Sequence, residues 1–131
     1  MSETHGTIWW NELITRDVAS ARDYYAQVCG WRFETMQMDG GDGAEYLLAY
    51  LGDKVVGGIL DMAGHPHFAA VEPGWLTYLA VDDIALAVKQ TRKAGGLVLR
   101  DAFQVPNVGV IATVRDPSGA LAGLIVPAGP A

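Results

Sequence analysis

Glu12 is the residue in this chain best placed by type and neighbours to do chemistry. It lies in Ile8-Trp9-Trp10-Asn11-Glu12-Leu13-Ile14-Thr15, a β-rich run. Period-two alternation puts Trp10, Glu12 and Ile14 on one face of that strand and Trp9, Asn11 and Leu13 on the other. A carboxylate among aromatic and aliphatic side chains can serve as a general acid or base, because burial favours its protonated form. It can equally be a structural acceptor for Arg115, Tyr78 or a backbone amide. His65 and His67 flank Pro66 in a loop and could bind a metal, but no cysteine or second histidine cluster accompanies them, and solvated linker positions describe them as well. His5 belongs to a short N-terminal arm. Cys29 falls near the end of a helix, where the dipole opposes a thiolate, so it is not expected to act as a nucleophile. Asp39-Gly40-Gly41-Asp42-Gly43 lacks the lysine and the strand-to-helix setting of a phosphate loop and reads as a mobile turn.

The elements that must hold these groups come in two copies. Displaced by 66 residues, Glu12–Ala21 falls on Tyr78–Ala87, with Leu13/Leu79, Asp17/Asp83, Ala19/Ala85 and Ala21/Ala87 identical. The same displacement brings Gly30 onto Gly96 and Val55–Ile59 onto Leu121–Ile125, as an ungapped repeat. In each half an apolar strand runs into an aspartate, a helix, a glycine and then more strands. Asp17 is placed to cap a helix with Val18, Ala21, Tyr25 and Val28 on one face, ended by Gly30. Asp82 or Asp83 caps a second, with Ile84, Ala87, Val88 and Thr91 on one face and Gly95-Gly96 as its stop. Strands are expected at Ile8–Thr15, Arg32–Met38, Glu45–Leu51 and Val55–Asp61, then at Leu76–Val81, Leu97–Ala102, Val110–Asp116 and Leu121–Val126. Gly52-Asp53 and Asp116-Pro117-Ser118-Gly119 are the turns between the last pairs. This is an α+β chain of two tandem βαβββ modules, about 6–61 and 75–127, joined by a linker at 62–74 within one domain.

A length of 131 residues suits one domain, since each half alone would have a marginal core. A net charge of −6 and nine scattered basic residues give no footprint for nucleic acid and no basic amphipathic helix for a membrane surface. A single cysteine excludes an internal disulfide and fits a reducing compartment. The polar start has no secretory pattern, and no apolar run is long enough to span a bilayer. A cytoplasmic protein is expected. A hydrophobic content of 50% suggests apolar surface beyond one core, hence a homodimer.

Three strings in order, "NELITRDVASARDYYAQVCGW", "VDDIALAVKQTRKAGG" and "DPSGALAGLIVP", resemble the glyoxalase/bleomycin-resistance/dioxygenase (vicinal oxygen chelate) superfamily over nearly the whole chain. The "IWWNELITRD" opening looks like a glyoxalase-like branch whose chemistry is mostly unassigned. The resemblance implies two curved mixed sheets around a shared cleft, with a helix outside each. Metal-dependent members take ligands from the first and last strand of each module, and the matching positions here are Trp10, Gly57, Leu76 and Gly123. None of these offers an imidazole, thiolate or oxygen donor. No metal and no cofactor are therefore expected.

The same resemblance puts Glu12 and Tyr78 on the cleft face beside Trp10 and Leu76, with Gly57 and Gly123 as the floor. It implies a protein that binds a small organic molecule in an apolar, aromatic cleft. Two alternatives stand beside that reading. One is a metal-independent lyase, isomerase or cyclase using Glu12 and Tyr78 as its acid/base groups. The other is a metal-dependent lyase or dioxygenase with atypical ligands.

Overall fold

The computed structural model describes residues 3–37 and 45–128. The glycine-rich stretch Asp39–Gly43 and the end of the strand expected at Arg32–Met38 lie outside them. The element order is β1 (Ile8–Thr15), α1 (Val18–Cys29), β2 (Arg32–Gln37), β3 (Glu45–Leu51), β4 (Lys54–Asp61), a 3-10 turn at Pro66–Phe68, β5 (Gly74–Ala80), α2 (Ile84–Lys93), β6 (Leu97–Val105), β7 (Gly109–Arg115) and β8 (Leu121–Pro127). The two βαβββ modules expected from the sequence are present.

The chain divides into two compact units, residues 11–75 and residues 1–10 with 76–131. In the first, the strands run β2-β3-β4-β1, antiparallel except for the parallel pair β1/β4. Leu13, Leu47 and Ile59 form its core beneath α1, packed by Val18, Ala21, Tyr25 and Phe33. Val28, expected on that face, is instead 61% exposed. The stretch at 62–74 is packed rather than loose. Met62, Phe68 and Val71 are buried, and the Arg16 guanidinium donates to the carbonyls of Phe68 (3.0 Å) and Val71 (3.1 Å).

In the second unit the strands run β5-β8-β7-β6, with β5/β8 parallel. Val88, Ala112, Val114 and Leu124 form its core, joined by Leu79, Val81, Ile84 and Ala87. The N-terminal arm adds to this unit. The Gly6 amide donates to the Ala80 carbonyl, the Ala80 amide donates to the Thr7 carbonyl, and the His5 Nδ1 accepts from the Asp82 amide at 3.0 Å.

Both helices begin where the sequence places them. Asp17 accepts from the Ser20 amide and Asp83 from the Leu86 amide, each at 3.0 Å. The repeat, however, is not gap-free. The capping aspartates stand 66 residues apart, but the left-handed glycines that end the helices are Gly30 (φ 73°) and Gly95 (φ 98°), which stand 65 apart. The second helix is shorter, 10 residues against 12. Which glycine of a Gly-Gly pair takes the left-handed position depends on where the last helical turn closes, and periodicity alone does not fix that. Where the last two strands of each module pair beyond their bulge, the displacement is again 65. The pair Leu48/Gly58 corresponds to Thr113/Gly123, so the counterpart of Gly123 is Gly58 rather than Gly57.

Candidate functional site

Each sheet has a face packed on its helix and an opposite, inner face. In the first unit Leu13, Ile59, Leu47 and Phe33 take the helix side, so alternation sends Glu12 and Ile14 of β1 to the inner face. Cross-strand register extends that face in one row. Glu12 pairs with Gly58, Gly58 with Leu48, and Leu48 with Glu34. Glu12 is only 6% exposed, although it is a carboxylate.

Gly58 is open for a reason. The buried Tyr46 leans across it, and a Cβ at that position would collide with the far end of the Tyr46 phenol. Gly57 takes the other side. A Cβ there would meet the Asn11 carbonyl oxygen at 3.2 Å and the Trp75 ring at 3.8 Å. Gly57 therefore lies on the helix-packed face, and the expectation that it forms the floor of the inner face is corrected to Gly58. The one-residue slip after the helix and a bulge in the β3/β4 ladder at Ala49/Tyr50 are the physical reasons.

The second unit has the matching row. Tyr78 of β5 pairs with Gly123, Gly123 with Thr113, and Thr113 with Arg100. Tyr78 is 7% exposed, Leu76 and Ala80 are buried beside it on the same strand, and Thr113 is buried. A Cβ at Gly123 would fall among the Cγ, Cδ1 and Cε1 atoms of the Tyr78 ring. In both modules, then, a glycine lies under a tyrosine ring. Arg115, weighed above as a partner for Glu12, donates to the Gly119 carbonyl at 2.9 Å.

A second aromatic group lies on the helix side of the first unit. Tyr25 stacks on Trp31 with centroids 5.3 Å apart, Trp75 meets both edge-on, and its indole N–H donates to the Tyr25 hydroxyl at 3.1 Å. His65 and His67 contact each other and Phe68 through their rings, and the His65 Nε2 is buried without a hydrogen-bond partner. Cys29 is an exposed free thiol.

These two modules, each closing on a parallel β1/β4-type pair, match one family model over residues 7–124. The chain belongs to the Glyoxalase/Bleomycin resistance protein/Dioxygenase superfamily. Among relatives in this superfamily, "Putative glyoxylase CFP32" of Mycobacterium tuberculosis is 35% identical over 120 residues, 91% of this chain and 45% of that protein. The anthracycline biosynthesis protein DnrV of Streptomyces peucetius is 29% identical over 85% of this chain and 43% of its own length. The chain thus spans less than half the length of the curated relatives it matches. Solved structures of the same fold include methylmalonyl-CoA epimerase of M. tuberculosis (TM-score 0.62, 17% identity, 98% of this chain and 93% of that one). Another is the protein BH1468 of Bacillus halodurans (TM-score 0.67, 11% identity, 96% and 97%).

Metal-dependent members of the superfamily imply a divalent ion, and the residues present do not fit one. The four corresponding positions hold Trp10, Gly58, Leu76 and Gly123, with no donor side chain among them. Among the described residues, no group of three or more His, Cys, Asp or Glu side chains could hold a metal ion.

Proposed function

We propose that this protein binds a small organic molecule without a metal ion, the inner face that carries Glu12 and the inner face that carries Tyr78 each offering a surface for it. The observation that carries this reading is the replacement made at the last-strand positions of both modules. Where a ligating carboxylate would stand there is a glycine, and a tyrosine ring occupies the space above it. Such a surface offers aromatic area and a few polar groups, the usual character of small-molecule sites. The relative named for anthracycline biosynthesis supports a planar aromatic ligand. Glu12 supplies the polar anchor or, in a second reading favoured by its burial, the acid/base group of a metal-independent lyase, isomerase or cyclase.

Calorimetric titration with naphthamide, a neutral planar aromatic, tests the proposal. Saturable binding unchanged by EDTA is expected. Glu12→Gln should weaken it tenfold to a hundredfold, the equivalent of ~1.5–3 kcal/mol for a hydrogen bond to a charged group, with the melting temperature unchanged. Binding that EDTA abolishes and a divalent metal restores would overturn the reading. So would near one equivalent of zinc, iron, manganese or nickel in the purified protein, lost in Glu12→Gln. A substitution that lowers only the melting temperature would make Glu12 a structural acceptor.

A further inference from the structure

Among the described residues, Arg100 is the arginine that makes no hydrogen bond or ion pair. The sequence has six, and among the described residues five are engaged. Arg16 holds the carbonyls of Phe68 and Val71, Arg22 faces Asp23, Arg32 pairs with Glu34, Arg92 with Asp101, and Arg115 with the Gly119 carbonyl. Arg100 makes no hydrogen bond or ion pair with any described residue. Its guanidinium lies 3.4 Å from the centroid of the Phe103 ring. Both residues are half-buried. Stacking uses the face of the guanidinium and leaves its in-plane N–H donors available, the arrangement that suits a carboxylate or phosphate edge.

Its direction is set by irregularities in β6. The β6/β7 register shifts between Val98 and Arg100 and again between Arg100 and Phe103. Val98 packs on the helix-side core, and unbroken alternation would send Arg100 to that same side. The first bulge instead pairs Arg100 with Thr113, and the second pairs Phe103 with Ile111. Both then stand on the inner face, opposite the core residues Ala112 and Val114. Re-aiming a side chain is a recurrent use of bulges beside binding sites. The row across the unit reads Arg100, Thr113, Gly123, Tyr78. Thr113, the neighbour of Arg100 in that row, is 2% exposed and carries a hydroxyl. In the equivalent row of the other module, Glu34-Leu48-Gly58-Glu12, Glu34 is paired with Arg32 at 2.6 Å.

We infer that Arg100, backed by Phe103 and Thr113, is the subsite for an anionic group, a carboxylate or phosphate, on the molecule this protein binds. The inference rests on the small-molecule reading above and narrows it to organic anions. The test compares naphthoate with naphthamide, alike in shape and different in charge, and adds inorganic phosphate as a competitor. Wild-type protein should bind naphthoate at least tenfold more tightly than naphthamide. That preference should weaken with added salt.

Arg100→Gln should remove the preference and leave naphthamide binding as it was. Arg100→Lys should restore only part of it, and Thr113→Val should reduce it less. Competition by phosphate against naphthoate assigns the subsite to phosphate as well as carboxylate, and lack of competition restricts it to carboxylate. Equal affinity for acid and amide in the wild type overturns the anion subsite and leaves the small-molecule reading intact. Equal loss of both probes in Arg100→Gln with Thr113→Val silent shows a structural arginine and also overturns it. Failure of both probes to bind at millimolar concentration overturns both proposals.

Discussion

Gly58 and Gly123 differ in how their tyrosines lean over them, and the difference is measurable. At Gly123 the Tyr78 atoms in the way include Cγ and Cδ1, near the root of the side chain. The ring could clear a methyl group only by changing its rotamer within a buried site. At Gly58 the obstructing atoms are the hydroxyl, Cζ and Cε2 of Tyr46, the far end of the ring, which a smaller swing can move. Gly123→Ala should therefore destabilise the protein by about 1–3 kcal/mol, as overpacking does, and Gly58→Ala by less. Urea unfolding of both variants checks the order, and a greater loss at Gly58 would contradict it. At this scale alternation along β1 sets Glu12 opposite Leu13 by local geometry alone. The sequence pointed to the wrong glycine in the first module, because that assignment depended on the length of a helix in the other.

Elements here are bounded by aspartates. Asp83→Ala should cost about 0.5–2 kcal/mol, since it frees the Leu86 amide at the start of α2, and Asp17→Ala should do the same for α1. Thermal unfolding would show it. Asp116 closes the last hairpin. Its carboxylate accepts from the Ser118 hydroxyl (2.6 Å), the Ser118 amide (2.8 Å) and the Ala120 amide (3.1 Å). These bonds, that from the Ser118 hydroxyl foremost, hold the Asp116 carboxyl below its ordinary value. A pKa lower in the folded than in the unfolded state means that the unfolded chain binds more protons. The contribution is then present above the ordinary carboxylate range and lost as pH falls through the folded value. Wild type should exceed Asp116→Asn in stability at neutral pH, and the gap should close in acid. A gap independent of pH would show that charge plays no part in the turn. The hairpins and caps were legible in the sequence because Asp, Gly and Pro act on their immediate neighbours. The bulges of β6 were not, since Leu97–Val105 carries no residue that demands one.

For the whole molecule the expectation is a symmetric homodimer. Large apolar side chains are exposed in both units, Ile8 and Trp9 in one and Tyr24, Val55 and Trp75 in the other, with Trp75 42% exposed. Exposed large apolar side chains are the material from which symmetric interfaces are built. Light scattering should give twice the 14.0 kDa chain mass at tens of micromolar, and a monomer mass there would refute it. No helix among the described residues is long and apolar enough to cross a membrane. The sequence by itself determined the two modules, their element order and both helix starts, because periodicity, capping and turn chemistry are local and each module carries them independently. Tertiary structure decided which glycine lies under a tyrosine, which strand residue a bulge turns inward, and that Arg100 makes no hydrogen bond or ion pair among the described residues. Those outcomes depend on register between strands far apart in sequence, where one extra or missing residue moves every side chain beyond it to the opposite face.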